Sequence, residues 1–505
     1  MDPAISALCE RYRVDRRVVD FVSGEHGHYV DGERLAVTGE TLDVGEPSTG
    51  RLLTRIASGT AADIDAAVTA ARRALTTGAW AVMRPNERQR VLLSLADLIE
   101  RDARVIAEIE TLDNGKALGP CIEMDVLGGA DLLRYMAGFA TRIEGATREV
   151  SAPGEHVAMT LREPVGVVAA IVPWNWPFNM AMWKIAAPLA AGCTIVLKPA
   201  QQTSLSMLYF TRLCEEAGLP PGVLNVVVGR GGVIGDALAG HPGVSKVSFT
   251  GSTPVGRQVG AAAGRALSPV TLELGGKSPM IAFADADLAA LAESTRFSVF
   301  FNAGQVCSAG SRLYVHRSRF DEAVEFLVRV ARSLRLRPGL DPECDMGPVV
   351  SAGQRDSILR YFDAGREEGA GFACGGDAPA GEGYFVKPTV MTASDNRLRV
   401  VQEEIFGPAL VVLPFDDEDE ALALANDNEY ALAGSVWTKD LDRALRCVRR
   451  LEAGSVWVNA HDLVDSAMPF GGFKSSGFGK DMGPEQLAHF LRTKAVWFQV
   501  GAGEG

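Results

Sequence analysis

A chain of 505 residues is too long for one compact core, so two or three domains are expected. With 47% hydrophobic and 22% charged residues, it has enough apolar side chain to offset the entropy of ordering, which excludes a disordered polymer. A net charge of −13 argues against a nucleic-acid partner, because phosphate binding needs clustered Lys and Arg.

The N-terminal stretch "MDPAISALCERYRVDRRVVDF" has no apolar core segment and does not read as a secretory signal. Residues 60–116 carry apolar side chains at three- and four-residue spacing and are expected to be helical, with Asn86 after Pro85 as a helix cap. Residues 147–163 read as a β-hairpin around Pro153-Gly154. Residues 165–197 hold a single charge, Lys184, but Pro173, Pro177 and Pro188 interrupt the run. The pattern there is strand, loop, buried helix, strand, and not a membrane span, which needs about 20 predominantly apolar residues.

From residue 165 onward short β-branched runs alternate with helical segments: "VGVVAAIVP", "CTIVLKP", "GVLNVVVG", "SKVSFTG" and "SPVTLELGG". This is the signature of βαβ units in a doubly wound parallel sheet, whose ligands sit at the carboxyl ends of the strands. A second α/β stretch runs from about 278 to 475, and residues 488–499 read as a terminal strand. The hairpin and the terminal strand belong to neither unit and are expected to form a small separate sheet that joins subunits.

The eight cysteines are scattered, with no Cys-x-x-Cys pair and no histidine at metal-ligand spacing. A disulfide framework and a metal site are therefore not expected, and the setting is expected to be reducing and cytoplasmic. No strict G-x-G-x-x-G occurs. The nearest is "GSTPVG" at 251–256, after a strand and opening a helix, where Ser252 and the helix N-terminus are placed to hold a pyrophosphate. "LELGGKS" lacks the first glycine of a P-loop, which disfavours an NTPase. Three groups stand out. Cys307 lies in "FFNAGQVCSAGSR" among small residues. Glu273 lies among apolar residues in "TLELGG", where a lone carboxylate is costly unless it is paired or functional. Asn175 lies in the apolar loop "PWNWPF".

Taken together, "PWNWPFNMAMWK", "VLKPA", "FTGSTPVG", "LELGGKSP", "FNAGQVCSAGSR", "EEIFGP" and "MPFGGFKSSGFGK", in that order, resemble the aldehyde dehydrogenase superfamily, from about residue 28 to the last strand. The resemblance implies an α/β fold with three parts. These are a Rossmann-like dinucleotide-binding domain (1–146 and 164–275), an α/β catalytic domain (276–480), and a small β oligomerisation domain (147–163 and 481–505) that makes homodimers or homotetramers. It implies oxidation of an aldehyde to its acid. Cys307 is the nucleophile that forms a thiohemiacetal and then a thioester, Asn175 and the Cys307 backbone N–H hold the oxyanion, and Glu273 activates water. Lys184 assists the electrostatics of the site.

NAD is the implied cofactor, with NADP as a second candidate. Its groove is assigned to Trp174, Lys198, Gln201, Gly251, Ser252, Leu274, Glu404 and Phe406. Gln201 stands where the family often has Glu, and Lys480-Asp481 where Arg-Glu is common. The substrate pocket is assigned to Trp176, Met180, Trp183, Phe301, Val306, Val464 and Phe470, with Asn179 at its mouth and Gly128 facing it from a helix. Aromatic walls without an arginine favour an aromatic or medium-chain apolar aldehyde. The segment "VNAHDLVDSAMPFGG" also resembles members that act on phenylacetaldehyde-type substrates. The alternatives are a betaine-type or semialdehyde dehydrogenase, a CoA-acylating aldehyde dehydrogenase, and a binding protein that keeps the fold without the reaction. No nucleic acid, membrane or metal is expected to take part.

Overall fold

The computed structural model describes residues 1–500, so the last five residues of the 481–505 segment lie outside the described residues. The chain builds two large sheets. In the first, the strands run in the order Glu33–Arg34, Tyr29–Val30, Leu224–Val226, Thr194–Lys198, Val167–Ile171, Lys246–Thr250, Val270–Glu273, Gly477–Phe478. The five strands from Leu224–Val226 to Val270–Glu273 are parallel to one another. They are fully buried or nearly so, as expected of β-branched runs covered by helices on both faces. The charge-poor run at 165–197 is strand Val167–Ile171, helix Pro177–Ala191 and strand Thr194–Lys198. None of the described helices is long and apolar enough to cross a membrane.

The register lines up one end of this sheet. Ile171 pairs with Lys198 on one side and Phe249 on the other, and Thr250 pairs with Glu273. The loops that carry Asn175, Ser252 and Leu274 therefore leave the sheet at the same edge. The chain order also reverses between Val167–Ile171 and Lys246–Thr250. That reversal opens the crevice in which a doubly wound sheet takes its ligand.

The second sheet runs Gly371–Cys374, Thr389–Thr392, Ala409–Phe415, Arg312–His316, Pro279–Ala282, Ala433–Trp437, Ser455–Val458, parallel except for its first pair. A third, three-stranded antiparallel sheet joins Leu491–Gln499, His156–Pro164 and Ala146–Arg148. The expected hairpin and the expected terminal strand thus pair with each other. The hairpin Thr41–Glu46/Arg51–Ala57 carried no recognised signal.

One cap differs from expectation. The helix Pro85–Arg101 starts at Pro85, and its cap is Arg84, whose backbone N–H donates to Glu87 at 2.9 Å. Asn86 lies inside the first turn. Proline's fixed φ and missing N–H suit that first position, so Pro85 opens the helix and leaves no cap role for the residue after it.

Candidate active site

A cavity of about 510 Å³ opens at the crevice of the first sheet. Trp174, Asn175, Met180, Lys198, Gly251, Ser252, Leu274, Cys307, Glu404 and Phe406 all line it. Seven of the eight residues assigned to the cofactor groove are among these. Gln201 is not on the wall and is half-buried beside it. Gln354, whose amide donates to the Phe406 carbonyl at 2.8 Å, lines the cavity without having been singled out in sequence. A polar side chain on an exposed-looking helix start gives no signal of this.

The wall has the chemistry of a dinucleotide site. The helix Thr253–Arg265 points its N-terminus at the cavity, and Ser252 caps it without a side-chain hydrogen bond, so its hydroxyl is free for an oxyanion. Lys198 is 6% exposed and reaches only the carbonyl of Pro199, while burial lowers its pKa to about 8. Glu404 accepts from the Gly276 backbone N–H at 2.9 Å, and burial raises its pKa to about 7. These donors and acceptors fit a ribose and a pyrophosphate.

Cys307 sits on a strained loop. Asn302, Ala303 and Gly304 take successive left-handed conformations, with φ of 49°, 53° and 72°. Such backbone costs on the order of 1–2 kcal/mol per non-glycine residue. At Gly304 a Cβ would strike the carbonyl of Gly407, so no side chain fits there. Side chains hold the loop in place. The Asn302 amide donates to the Asn175 carbonyl at 2.8 Å, the Gln305 amide to the Asn302 carbonyl at 2.9 Å, and the Gln305 oxygen accepts from Val350 N–H at 2.9 Å.

The Asn175 amide nitrogen in turn donates to the Gln305 carbonyl at 2.8 Å. An amide NH₂ has two donors, so one is spent on positioning the loop and one is left. Among the described residues nothing accepts from the Cys307 backbone N–H. Two donors therefore remain beside the thiol. Burial, followed by the charges of Asp462, Glu404 and Glu273, pushes the Cys307 thiol well up from its ordinary value. The charges that act on it among the described residues are all carboxylates, which disfavour the thiolate, so the sulfur needs a base.

Glu273 ends its strand 4% exposed with both carboxylate oxygens unpartnered. Burial and then the charge of Asp481 push its pKa well up, against the pull of Lys184 and Lys480. Gly471 at φ 151° lies against this carboxylate, and a Cβ there would displace it. Lys184 is fully buried and paired with Asp481, which also accepts from Gln486 at 3.0 Å.

The residues assigned to the substrate pocket gather in two aromatic pairs and not on the cofactor cavity, whose wall takes only Met180 from that set. Trp176 and Phe301 lie 5.3 Å apart and pack with Val306, and Trp183 and Phe470 lie 5.2 Å apart edge to face. Val464 is 51% exposed, next to the exposed Leu463 and Met468, at the outer end. Gly128 does face Asn179, whose amide would lie 3.5 Å from a Cβ there.

Behind Trp176 lies a charged cluster that sequence reading did not find. The Lys116 ammonium stands 4.1 Å from the centre of the Trp176 ring, 2.5 Å from Asp125 and 3.7 Å from Glu110. Glu110, Cys121 and Asp125 converge closely enough to surround a cation, and the Lys116 ammonium supplies that positive charge.

Comparison with known proteins agrees with this geometry. The model of the aldehyde dehydrogenase family matches residues 35–496. The chain is 48% identical to a phenylacetaldehyde dehydrogenase of Pseudomonas fluorescens over 95% of its own length and 97% of the relative's. Its structure resembles an NAD+ complex of an aldehyde dehydrogenase from Bacillus cereus, with TM-score 0.95 and 42% identity over 97% of this chain and 99% of that one. It also resembles an indole-3-acetaldehyde dehydrogenase of P. syringae in complex with NAD+ and IAA, with TM-score 0.91 and 41% identity over 94% and 96% of the two chains.

Proposed function

Because the chain belongs to the aldehyde dehydrogenase family, it is an NAD-dependent oxidoreductase that converts aldehydes to carboxylic acids, and we propose that its preferred substrates carry an aromatic or flat apolar group. The observation that carries this reading is the pair of aromatic walls, Trp176–Phe301 and Trp183–Phe470, in the elements flanking Asn175 and Cys307. Ring-on-ring contacts add about 0.5–1.5 kcal/mol beyond area burial, and no arginine stands among these residues to pair a substrate carboxylate. The similarity to enzymes of phenylacetaldehyde and indole-3-acetaldehyde points the same way.

In this reading Cys307 Sγ attacks the carbonyl carbon while the buried Glu273 carboxylate takes the thiol proton. The free Asn175 amide N–H and the Cys307 backbone N–H receive the developing oxyanion. Ser252, Lys198 and Glu404 would hold NAD+ in the cavity, and the bound dinucleotide would supply the hydride acceptor. Once it has released the thiol proton to solvent, Glu273 deprotonates the water that hydrolyses the Cys307 thioester, and Lys184, through Asp481, sets the field around it. A carboxylate buried without a partner beside the thiol favours water over CoA as the acceptor of the acyl group.

The division into a dinucleotide-binding part, a catalytic part and an oligomerisation part is retained. The three-stranded sheet exposes Val157, Leu161, Trp497 and Phe498, which is the apolar surface expected where copies of the chain meet as dimers or tetramers. The eight unpaired cysteines support a cytoplasmic setting. The test is NAD+ reduction over a panel of aldehydes with and without CoA. Phenylacetaldehyde-like substrates should lead in kcat/KM without CoA. A lead for betaine aldehyde or succinic semialdehyde, or a need for CoA, would overturn this choice.

A further inference from the structure

One hydrogen-bonded chain near the nucleophile has no part in the reaction described so far. It begins in the second sheet, where the indole N–H of Trp437 donates to Ser435 Oγ at 3.1 Å. Ser435 Oγ lies 2.9 Å from His461 Nδ1, and His461 Nε2 lies 2.9 Å from the backbone carbonyl of Ser308. A carbonyl only accepts, so Nε2 carries the hydrogen and Nδ1 accepts from the serine hydroxyl. The next residue, Asp462, holds a left-handed backbone with φ 64°, and its carboxylate accepts from the Ser308 hydroxyl. Every donor in the series then has an acceptor, in one direction, provided that His461 is neutral. Burial lowers the pKa of its imidazole, which keeps it so.

Resting on the reading of Cys307 as nucleophile, we propose that His461 and Asp462 are positioning residues for the reaction: together they grip the carbonyl and the hydroxyl of Ser308 and so fix the turn that presents the Cys307 thiol. The grip is rooted in the rigid strand Ala433–Trp437, whereas the loop leading into Cys307 is strained. The same arrangement places a carboxylate beside the thiol, held by the Ser308 hydroxyl. The ionisable groups acting on Cys307 come from three elements: Asp462 after the strand Ser455–Val458, Glu404 after the helix Arg399–Gln402, and Glu273 at the end of Val270–Glu273. Of the three, Asp462 acts most strongly on the thiol.

The test separates placement from charge and from mere folding. Alkylation of Cys307 by iodoacetamide is followed across pH on the full chain, by mass spectrometry of the peptide that carries it. Asp462→Asn keeps an acceptor for Ser308 but removes the charge, so the midpoint of alkylation should fall by about one pH unit. His461→Phe removes the donor to the Ser308 carbonyl, and kcat should drop about 10- to 100-fold with KM for NAD+ unchanged. His461→Gln, which keeps a donor, should recover most of the loss. An unmoved midpoint in Asp462→Asn, or variants that lose melting temperature while kcat and the midpoint stay in place, would overturn the proposal and leave Cys307 as nucleophile. Retained turnover in Cys307→Ala would instead overturn the underlying reading.

Discussion

Lys184 and Lys116 are both fully buried lysines with carboxylates for neighbours, yet the two clusters are built to opposite ends. Around Lys116 every acid has a partner for at least one oxygen. Asp125 takes the ammonium, Glu110 accepts from Phe178 N–H at 2.9 Å and Ser206 Oγ at 3.1 Å, and Asp113 accepts from Leu205 N–H at 3.2 Å. Around Lys184 the ammonium and Gln486 are taken up by Asp481, and Glu273 is left with neither oxygen bonded. A buried ion pair that is complete fixes structure, and breaking one typically costs about 3–5 kcal/mol. A buried carboxylate left over has its pKa raised by burial and becomes a stronger base.

The sharpest way to break this comparison is to remove the reacting groups. Cys307→Ala should abolish turnover, and Glu273→Gln should cut it by about 10²–10⁴, slowing both the attack of Cys307 and the hydrolysis of its thioester. Neither should lower the melting temperature, because Glu273 has no hydrogen bond to lose. Lys116→Met should do the reverse. It strips Asp125 of its cation and the Trp176 ring of its neighbour, so unfolding in denaturant should show a loss of about 3–5 kcal/mol, with kcat per folded molecule largely kept. Loss of stability in Glu273→Gln, or loss of kcat without loss of stability in Lys116→Met, would reverse the two assignments.

The same contrast explains which parts of the site were legible in sequence. Cys307, Glu273 and Asn175 are polar groups in apolar, glycine-rich surroundings, and that mismatch shows in a single string. The strands of the first sheet were legible for a related reason, since their burial on both faces demands unbroken β-branched runs. The Lys116 cluster was not, because its acids lie on two separate helical stretches, Ala103–Asn114 and Cys121–Leu127, whose charges look like ordinary solvated faces until the fold covers them. His461 and Asp462 were hidden differently. Their partners, Ser308 and Ser435, are brought to them only by pairing between distant strands. The aromatics assigned to the substrate pocket show in the string, but their arrangement into two pairs apart from the cofactor cavity needed coordinates.

A pH series sharpens the comparison with a smaller effect. Burial raises the Glu273 pKa in the folded chain above its unfolded value. The folded state therefore binds the extra proton. Stability from this group is present below the unfolded pKa and is lost as pH rises through the folded one. Activity should move the other way. The base exists only above the folded midpoint, so deacylation should rise across the window in which stability falls. That window lies above the ordinary glutamate range. Single-turnover deacylation and thermal melts recorded over the same pH values should show the opposed trends, and Glu273→Gln should remove both. Parallel trends would assign the pH dependence to another group.

The smallest expected effect is at Gln201, where a carboxylate is absent from the cofactor side of the same fold. Lys198 reaches the cavity wall from the end of its strand, with Pro199 and Ala200 following, and Gln201 lies half-buried just beyond the lining. A glutamate in that place would repel a 2′-phosphate and accept from both ribose hydroxyls, whereas glutamine keeps one acceptor and no charge. Because the position is partly exposed, the charge term is screened toward the surface range of about 0–1 kcal/mol, which is a few-fold in an equilibrium. Native protein should use NAD+ and accept NADP+ measurably, with Lys198 as the cation for the phosphate. Gln201→Glu should shift the ratio of kcat/KM toward NAD+ by a few-fold and leave kcat with NAD+ unchanged, since Glu273 ends a strand three places across the sheet from that of Lys198. A ratio that does not move, measured with both cofactors in both proteins, would show that residue 201 stays outside the ribose contact even when the site is filled.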